Sequence, residues 1–507
     1  MAADPSAPDK GRGSGLVRGA GINVVGRLCS QAMTFAIAVA LSWLLGEQGI
    51  GRYAQAFAVL TLLDFLALTP FGSGLMRMLA VHNVEGDLRA ARGTIRAGVG
   101  ITLAVAALLA AAEYAGAPWL AQTVLKDHDL LVPLRLAGVA LVPLATADAL
   151  LFATMGYQRM RGYGLVKLVS EPLARLFLVI GLVAAGFGVV GAVLGLVGSC
   201  TLQLALSVRA LRRLAGRWYV GPAVYHLRDL CACSVPTGLS ALTAMGLSWA
   251  DSLIIGAYRT SGEVGVYQIA TRIVMVATFV IPAVGMAFAP RITAMAHRGE
   301  RQELARAYTT VTTWTLRLCV PGFVALVVFP GDLLRVFGPG YVYAAGVTLV
   351  LVLGSVVDAM TGPGAQMLLM AGKPAWAALN NVIGLVLNIA LNLALVPTFG
   401  VMAAAWSWTA SLVVTNLIRL AQVRWLMKMW PFRTRQVTIL LAGTGSGVAG
   451  LLCVHWTAWP WDLPLGLVVV ALAYLGLSAL TLDRDDRVIL ADVATTLQRV
   501  AHPARSG

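Results

Sequence analysis

Apolar stretches of about twenty residues alternate with short polar connections from residue 20 to residue 482. At about 1.5 Å of rise per helical residue, each stretch is long enough to cross a hydrocarbon core about 30 Å thick. Inside that core no water satisfies backbone N–H and C=O groups, so a chain that crosses it repeatedly in such runs does so as helices. The pattern predicts about fourteen transmembrane helices, near 20–44, 54–76, 97–117, 130–152, 165–186, 188–208, 231–257, 264–289, 308–329, 345–370, 375–396, 400–424, 437–457 and 463–482. The tightest connections, Gly186-Phe187-Gly188 and Pro397-Thr398-Phe399-Gly400, interrupt otherwise continuous apolar sequence. Pro70, Pro143, Pro236, Pro282, Pro321 and Pro363 fall inside spans and are expected to bend them, as hinges or as fixed kinks.

Lysine and arginine in the connections set the orientation. Clusters such as Lys10, Arg12 and Arg18, then Arg89, Arg92 and Arg96, then Arg209, Arg212 and Arg213, then Arg419, Arg424 and Lys428 all fall on one side. The other side holds Arg52, Lys126, Arg259 and Arg335. Both termini are therefore expected in the cytoplasm, which requires an even number of spans. Met1 to Arg18 is polar and lacks the apolar core of a cleavable signal, so the first span is expected to stay as an anchor.

A repeat runs through the pattern. Gly51-Arg52-Tyr53-Ala54-Gln55-Ala56 realigns with Gly265-Val266-Tyr267-Gln268-Ile269-Ala270 at an offset of 214, which also places Arg77 on Arg291. Phe187-Gly188-Val189-Val190-Gly191-Ala192 realigns with Phe399-Gly400-Val401-Met402-Ala403-Ala404 at an offset of 212. Two matches at nearly one offset predict two six-helix lobes in parallel repeat. The expected architecture is all-α: a cytoplasmic tail over 1–19, an N-lobe over 20–225 and a C-lobe over 226–425 around a central cavity. Two extra helices over 426–482 and a cytoplasmic tail over 483–507 complete it. In that tail Ile489, Val493, Leu497 and Val500 are spaced for a short amphipathic helix on the inner leaflet, with a loose tail as the alternative.

Composition agrees with a bilayer as solvent. The 507 residues would suggest several soluble domains, but 58% are hydrophobic and 12% charged, against about 25% charged in soluble proteins. The net charge of +15 follows from the cytoplasmic basic loops and needs no nucleic-acid partner. Cys29, Cys200, Cys231, Cys233, Cys319 and Cys453 lie in or beside apolar segments without zinc-like spacing, as small buried hydrophobes do.

No G-x-x-x-x-G-K-[ST] loop occurs and the six histidines are scattered, so neither ATP hydrolysis nor covalent catalysis has a candidate constellation. No cofactor is implied. Gly443-Thr444-Gly445-Ser446-Gly447 sits inside a span, where glycines favour close helix packing. The informative residues are charges within spans. Asp64, Arg175, Arg272, Arg317 and Asp358 lie deep, and Arg27, Asp148, Glu171 and Asp251 lie nearer an interface. Facing lipid, the deep set would cost on the order of 10 kcal/mol, so it must be paired or face a wet cavity.

Arg272, in the repeat mate of the helix that carries Asp64, is the leading candidate ligand for an anion, because guanidinium binds phosphate bidentately and stays charged. The alternative is an ion pair with Asp64 or Asp358. Arg27 either lines a cavity or snorkels to the interface. Arg175 has Glu171 one turn before it, and the two can neutralise each other. Arg317 has no close partner in sequence. Asn381, Asn388 and Asn392 share a helical face, with Asn380 beside it, suited to sugar hydroxyls or to another helix.

Leu44-Leu45-Gly46-Glu47-Gln48-Gly49-Ile50-Gly51-Arg52-Tyr53 resembles the opening of bacterial polysaccharide and O-antigen repeat-unit flippases, members of the multidrug/oligosaccharidyl-lipid/polysaccharide exporter superfamily. Asp251-Ser252-Leu253-Ile254-Ile255-Gly256 followed by Val264-Gly265-Val266-Tyr267, then Phe337-Gly338-Pro339-Gly340-Tyr341, and Gly372-Lys373 through Asn388, Asn392, Pro397 and Gly400 are similar to later landmarks. The resemblance covers nearly all of the first twelve spans and implies movement of an undecaprenyl-diphosphate-linked oligosaccharide from the inner to the outer leaflet of a bacterial cytoplasmic membrane. It also implies a polysaccharide polymerase and glycosyltransferases as partners, besides membrane lipids. Related lipid II flippases place arginines of the first, second and eighth helices around a diphosphate. Arg27 and Arg272 occupy comparable places, whereas Arg52 lies at the outer end of the second span, and the last two helices depart from relatives with twelve.

Two other functions compete. A multidrug antiporter of the same superfamily would use cavity carboxylates such as Asp64 and Asp358 to exchange H+ or Na+ for a cationic drug. A non-transporting scaffold for polysaccharide synthesis would pair its deep charges within a dry interior. A net positive cavity favours the flippase and a net negative one the antiporter. Coupling of a flippase to H+ or Na+ through Asp64 or Asp358 is a further expectation.

Overall fold

The computed structural model describes the backbone of residues 10–216, 218–456 and 462–482 together with Asp486, and side chains from residue 26 onward except 231–244 and scattered positions. The expected amphipathic face of Ile489, Val493, Leu497 and Val500 and the side chains of Cys231 and Cys233 lie outside the described residues. Among the described residues every regular element is helical. The first half holds α1 (Lys10–Glu85), α2 (Leu88–Trp119), α3 (Leu131–Gly156), α4 (Met160–Leu165), α5 (Glu171–Leu182) and α6 (Gly188–Ala215). The second holds α7 (Leu227–Tyr258), α8 (Ser261–Thr278), α9 (Val280–Arg298), α10 (Arg301–Val328) and α11 (Pro330–Arg335). It continues with α12 (Ala345–Thr361), α13 (Gly364–Met370), α14 (Pro374–Gln422), α15 (Thr434–Trp456) and α16 (Asp462–Leu480).

Nine segments among the described residues are long and apolar enough to cross a membrane. Three of these carry an interior glycine with positive φ and so consist of two limbs each. The breaks fall at Gly46 (φ 65°, ψ −172°), at Gly186 (φ 93°, ψ 5°) with Gly188 (φ 55°, ψ −141°), and at Gly400 (φ 62°, ψ −143°). A Cβ is strained at such angles, which is why glycine marks the breaks. Gly188 and Gly400 are repeat mates, so the sequence repeat extends to matching backbone conformation.

Two expected spans are each divided. α8 ends at Thr278 and α9 begins at Val280. Pro282 explains the interruption, since it has no N–H for the carbonyl of residue 278 and its ring crowds that turn. Likewise α12 ends before Gly362 (φ 70°) and Pro363, and α13 resumes at Gly364. A residue before proline is biased away from helix, which fixes that break. Pro143 and Pro321 stay inside α3 and α10.

The chain forms two compact units: Met1–Arg272 with Leu334–Leu351 and Ala375–Thr415, and Ile273–Leu333 with Val352–Pro374 and Asn416–Gly507. Within the first, α1, α2, α3 and α6 share a core in which Ala56, Ala106, Ala117, Ala137 and Ala140 sit among Leu60, Leu134, Leu141 and Leu196. Small residues let helix backbones approach, and in lipid close packing replaces hydrophobic exclusion as the cohesive force. Within the second, α15 and α16 pack on α10, where a Cβ added at Gly443 would lie 2.6 Å from Val320 Cγ1 and one at Gly450 would lie 2.5 Å from Val470 Cγ2.

Substituting Gly443→Leu should therefore part α15 from α10 and cost about 1–3 kcal/mol, the usual range for overpacking. Thermal unfolding in detergent should show a lowered midpoint, whereas Gly100→Leu, where the added side chain meets open space, should leave it near wild type.

Candidate functional site

A cavity of about 240 Å³ lies inside the first unit, with walls from α1, α5, α7 and α8. Its polar lining is Arg175, Arg272, Gln31, Gln268, Thr34 and Tyr53, and Phe57 and Trp249 form an aromatic edge with ring centroids 5.5 Å apart. Among the described residues neither Asp nor Glu lines it.

The two arginines differ in their surroundings. Arg175 Nε is 3.4 Å from Glu171 Oε1 one turn earlier on α5, and its guanidinium lies over the Phe57 ring, 5.7 Å from the centroid. The expected i,i+4 pair forms, yet Arg175 still faces the cavity. Arg272, eleven residues into α8, has no ion pair among the described residues and is half-buried beside Arg175. One positive charge in the pair is thus uncompensated, in surroundings where unpaired charge is costly.

Asparagines expected to serve either sugars or helix packing take the second role. Asn388 Nδ2 and Asn392 Nδ2 donate to Asp251 Oδ1 at 3.0 and 2.7 Å, and Tyr267 Oη donates to Asp251 Oδ2 at 2.6 Å. All four residues belong to the first unit, and they tie α7, α8 and α14 together. Asn381 is half-buried on α14 and is not in the cavity wall.

Arg27 is exposed on α1 and is not among the residues of the cavity wall. Arg317 lies in the second unit. Its Nη1 is 3.2 Å from Asp486 Oδ2, its Nη2 donates to Thr481 Oγ1 at 3.3 Å, and it lies over the Trp314 ring. Tyr474 Oη of α16 donates to the Arg317 carbonyl at 2.8 Å. In the same unit Asp358 Oδ1 accepts from Asn416 Nδ2 at 2.8 Å, and Arg419 Nη1 donates to Asn416 Oδ1 at 3.3 Å.

Asp64 is buried on α1 near a second cluster, and its Oδ1 has no hydrogen-bond partner. In that cluster Lys167 Nζ is 2.8 Å from Asp148 Oδ2, and Gln203 Nε2 donates to Asp148 Oδ1 at 2.6 Å. Lys167 is carried on a π-helical turn, Val166–Ser170, a geometry that recurs at functional positions. Lys167, Gln31, Gln268 and Trp249 are additions to the sequence-based candidates. Uncharged residues such as glutamine carry a smaller desolvation penalty than charged ones and so stand out less in a sequence, although Gln268 does stand in the repeated motif.

Around Arg52, Nε meets Asp127 Oδ2 and Nη2 meets Asp129 Oδ2, both at 2.8 Å, and Ser261 Oγ donates to Asp127 Oδ2 at 2.7 Å. Burial alone would push the Asp127 carboxyl up, but the bonds from Arg52 and Ser261 win and hold it below the ordinary carboxylate value. Arg52, the arginine that fits the lipid II flippase pattern least, is therefore engaged at the end of its span.

The sequence profile described as polysaccharide biosynthesis protein matches residues 16–296, and the profile described as MatE matches 236–394. Two curated proteins of Haloferax volcanii are similar. A probable low-salt glycan biosynthesis flippase is 26% identical over 198 residues, 39% of this chain and 42% of the relative. A probable flippase is 30% identical over 184 residues, 36% of this chain and 38% of the relative. The matched region thus spans about two fifths of the length of these relatives. A solved structure of the lipid II flippase MurJ in an inward closed conformation superposes with a TM-score of 0.71 at 12% identity, covering 92% of this chain and 98% of that one, a likeness of fold.

Two measurements probe these clusters. Removing one partner of a buried ion pair costs about 3–5 kcal/mol, and with Lys167 27% exposed the loss in Lys167→Ala should fall near the lower end, while K167M/D148N together should recover most of it in thermal unfolding. For Arg52 the sign follows from the depressed Asp127 value: the pair's stabilisation is complete above the ordinary carboxylate range and is lost as pH falls through the lowered folded value. The difference in melting temperature between wild type and Arg52→Ala should stay flat from pH 8 to about pH 5 and shrink in stronger acid.

Proposed function

The chain belongs to the polysaccharide biosynthesis protein family, and from that premise we propose that it is a flippase for a lipid-linked oligosaccharide. The observation that carries the reading is the sign of the cavity: two arginines, one without a counter-ion, and no acidic residue in the wall among the described residues. A diphosphate supplies the missing negative charge and the paired acceptor oxygens that a guanidinium fork bonds best.

In this reading an undecaprenyl-diphosphate-linked repeat unit enters from the cytoplasmic leaflet. Its lipid tail remains in the bilayer while the head passes through the cavity by alternating access. The product serves exopolysaccharide, capsule or O-antigen assembly at a bacterial inner membrane, with a polymerase and glycosyltransferases as neighbours and both termini in the cytoplasm. Ligand pockets commonly measure about 300–1,000 Å³. A cavity of about 240 Å³ holds the diphosphate and the sugar next to it rather than a whole repeat unit, so passage of the head requires the walls to part.

The multidrug antiporter reading is less well supported, because a cationic drug would enter a cavity of its own sign. Cation coupling is a separate matter. The unpartnered, buried Oδ1 of Asp64 supports Asp64 over Asp358, whose carboxylate already accepts from Asn416.

Arg272→Ala should lower affinity for undecaprenyl diphosphate about 10- to 100-fold, the equivalent of one charged hydrogen bond of about 1.5–3 kcal/mol, and should abolish flipping in reconstituted vesicles. Arg272→Lys should restore charge but little affinity, because the fork is lost. Undiminished flipping by R272A would overturn the cavity as the diphosphate site. Asp64→Asn should remove any dependence of the rate on an imposed cation gradient, and a gradient response unchanged by D64N and D358N would remove both carboxylates from coupling.

A further inference from the structure

The repeated motif Gly51-Arg52-Tyr53 and Gly265-Val266-Tyr267 meets itself in space. A Cβ built on Gly51 would fall on the carbonyl oxygen of Ser261 and lie 2.9 Å from the amide nitrogen of Gly265. A Cβ built on Gly265 would fall on the carbonyl oxygen of Glu47 and lie 3.1 Å from the amide nitrogen of Gly51. The contact is reciprocal. Glu47 and Ser261 each stand four residues before their glycine, and they are related by the same offset of 214 as the glycines themselves. Two repeat-related helix ends therefore meet backbone on backbone, with the Ile50 side chain packed beside Gly265.

Such a contact leaves no room for water or for a head group. It also lies directly above the arginine cavity: Tyr53 and Ala54 follow Gly51 into the cavity wall, and Gln268 and Arg272 follow Gly265. Beside it, Arg52 bridges Asp127 and Asp129, and Asp127 accepts from Ser261, so an ion cluster fastens α1 and the α2–α3 connection to the first turn of α8. By the distribution of basic residues, this end of the molecule faces away from the cytoplasm.

We infer that the backbone contact of Gly51 and Gly265 forms a seal over the outer end of the arginine cavity, and that Arg52 with Asp127 and Asp129 is the clasp that holds it shut. The inference rests on the alternating-access part of the flippase reading. In it, Gly51 and Gly265 are positioning residues: their contact sets how closely Arg272 approaches Arg175 and which leaflet can reach them. Parting the two glycines opens the cavity outward, and the clasp is the interaction that must be released first.

The test needs no lipid substrate. In a cysteine-free background, Thr34→Cys in the cavity wall is labelled in intact cells with a membrane-impermeant maleimide added from outside. With the seal intact, labelling should be slow. Gly51→Leu or Gly265→Leu should raise the rate at least tenfold, and Arg52→Ala should raise it severalfold. The charge-exchanged pair R52D/D127R should bring it back toward the parent value. Arg52→Ala and its exchange partner alter no packed glycine, so they decide the matter if the leucine variants fail to fold. A parent already labelled as fast as the folded seal variants, or equal slow rates in all of them, overturns the seal. Either result leaves the flippase reading to stand or fall separately on undecaprenyl diphosphate binding by Arg272.

Discussion

A guanidinium without a carboxylate inside a low-dielectric slab is the constraint on which the organisation around the cavity depends. In water an unpaired arginine is unremarkable. Within a membrane it requires either a protein counter-charge or a polar enclosure that a ligand completes. Several of the other deep charges are resolved internally. Arg175 has Glu171, Lys167 has Asp148, Asp251 has two asparagines and a tyrosine, and Arg317 has Asp486. Arg272 stands apart from that pattern as a cation without an ion pair among the described residues, and Asp64 as a carboxylate with an unpartnered oxygen. A scaffold with a dry, self-neutralised interior would gain nothing from leaving one charge unmatched, whereas a carrier of anions gains its attraction from it.

The paired clusters share a logic of rigidity. In the first unit the Asp148 and Asp251 clusters each join helices distant in sequence through short hydrogen bonds. The Asp251 cluster connects α7 and α8 to α14, so that Trp249 and Arg272 are carried by mutually braced helices. Close packing of alanine and glycine supplies the rest, because small residues let backbones approach where no solvent drives association. The result is a pair of charged groups held in place before any ligand arrives, which is the condition for selective recognition of a fixed-geometry anion.

Much of this is legible in the sequence, for reasons that differ by feature. Apolar run length is a direct consequence of bilayer thickness, so the all-helical membrane class is read off directly. The breaks at Gly188 and Gly400 follow from glycine in a matching repeat context. Local pairs are legible too, as Arg175 with Glu171 shows. Partners across the fold are not. Asp251 lies 137 residues from Asn388, and Arg317 lies 169 from Asp486, and helical periodicity states which face a residue occupies without stating what that face meets. The divisions at Phe279 and Gly362 fall beside Pro282 and Pro363, two of the prolines expected to bend their spans, although Pro143 and Pro321 leave their helices continuous.

The surroundings of Arg317 carry an evolutionary consequence. Its head is met by Asp486 and Thr481, beyond the end of α16, and its carbonyl is met by Tyr474 within that helix. The final two helices are thus no longer a removable addition. A lineage that lost them would expose an arginine on α10 to lipid and could survive only by changing that position at the same time. A lineage that still has them is free to keep the charge. Such mutual dependence works as a ratchet: an appendage acquired once becomes entrenched by a single side chain, whatever advantage first favoured it.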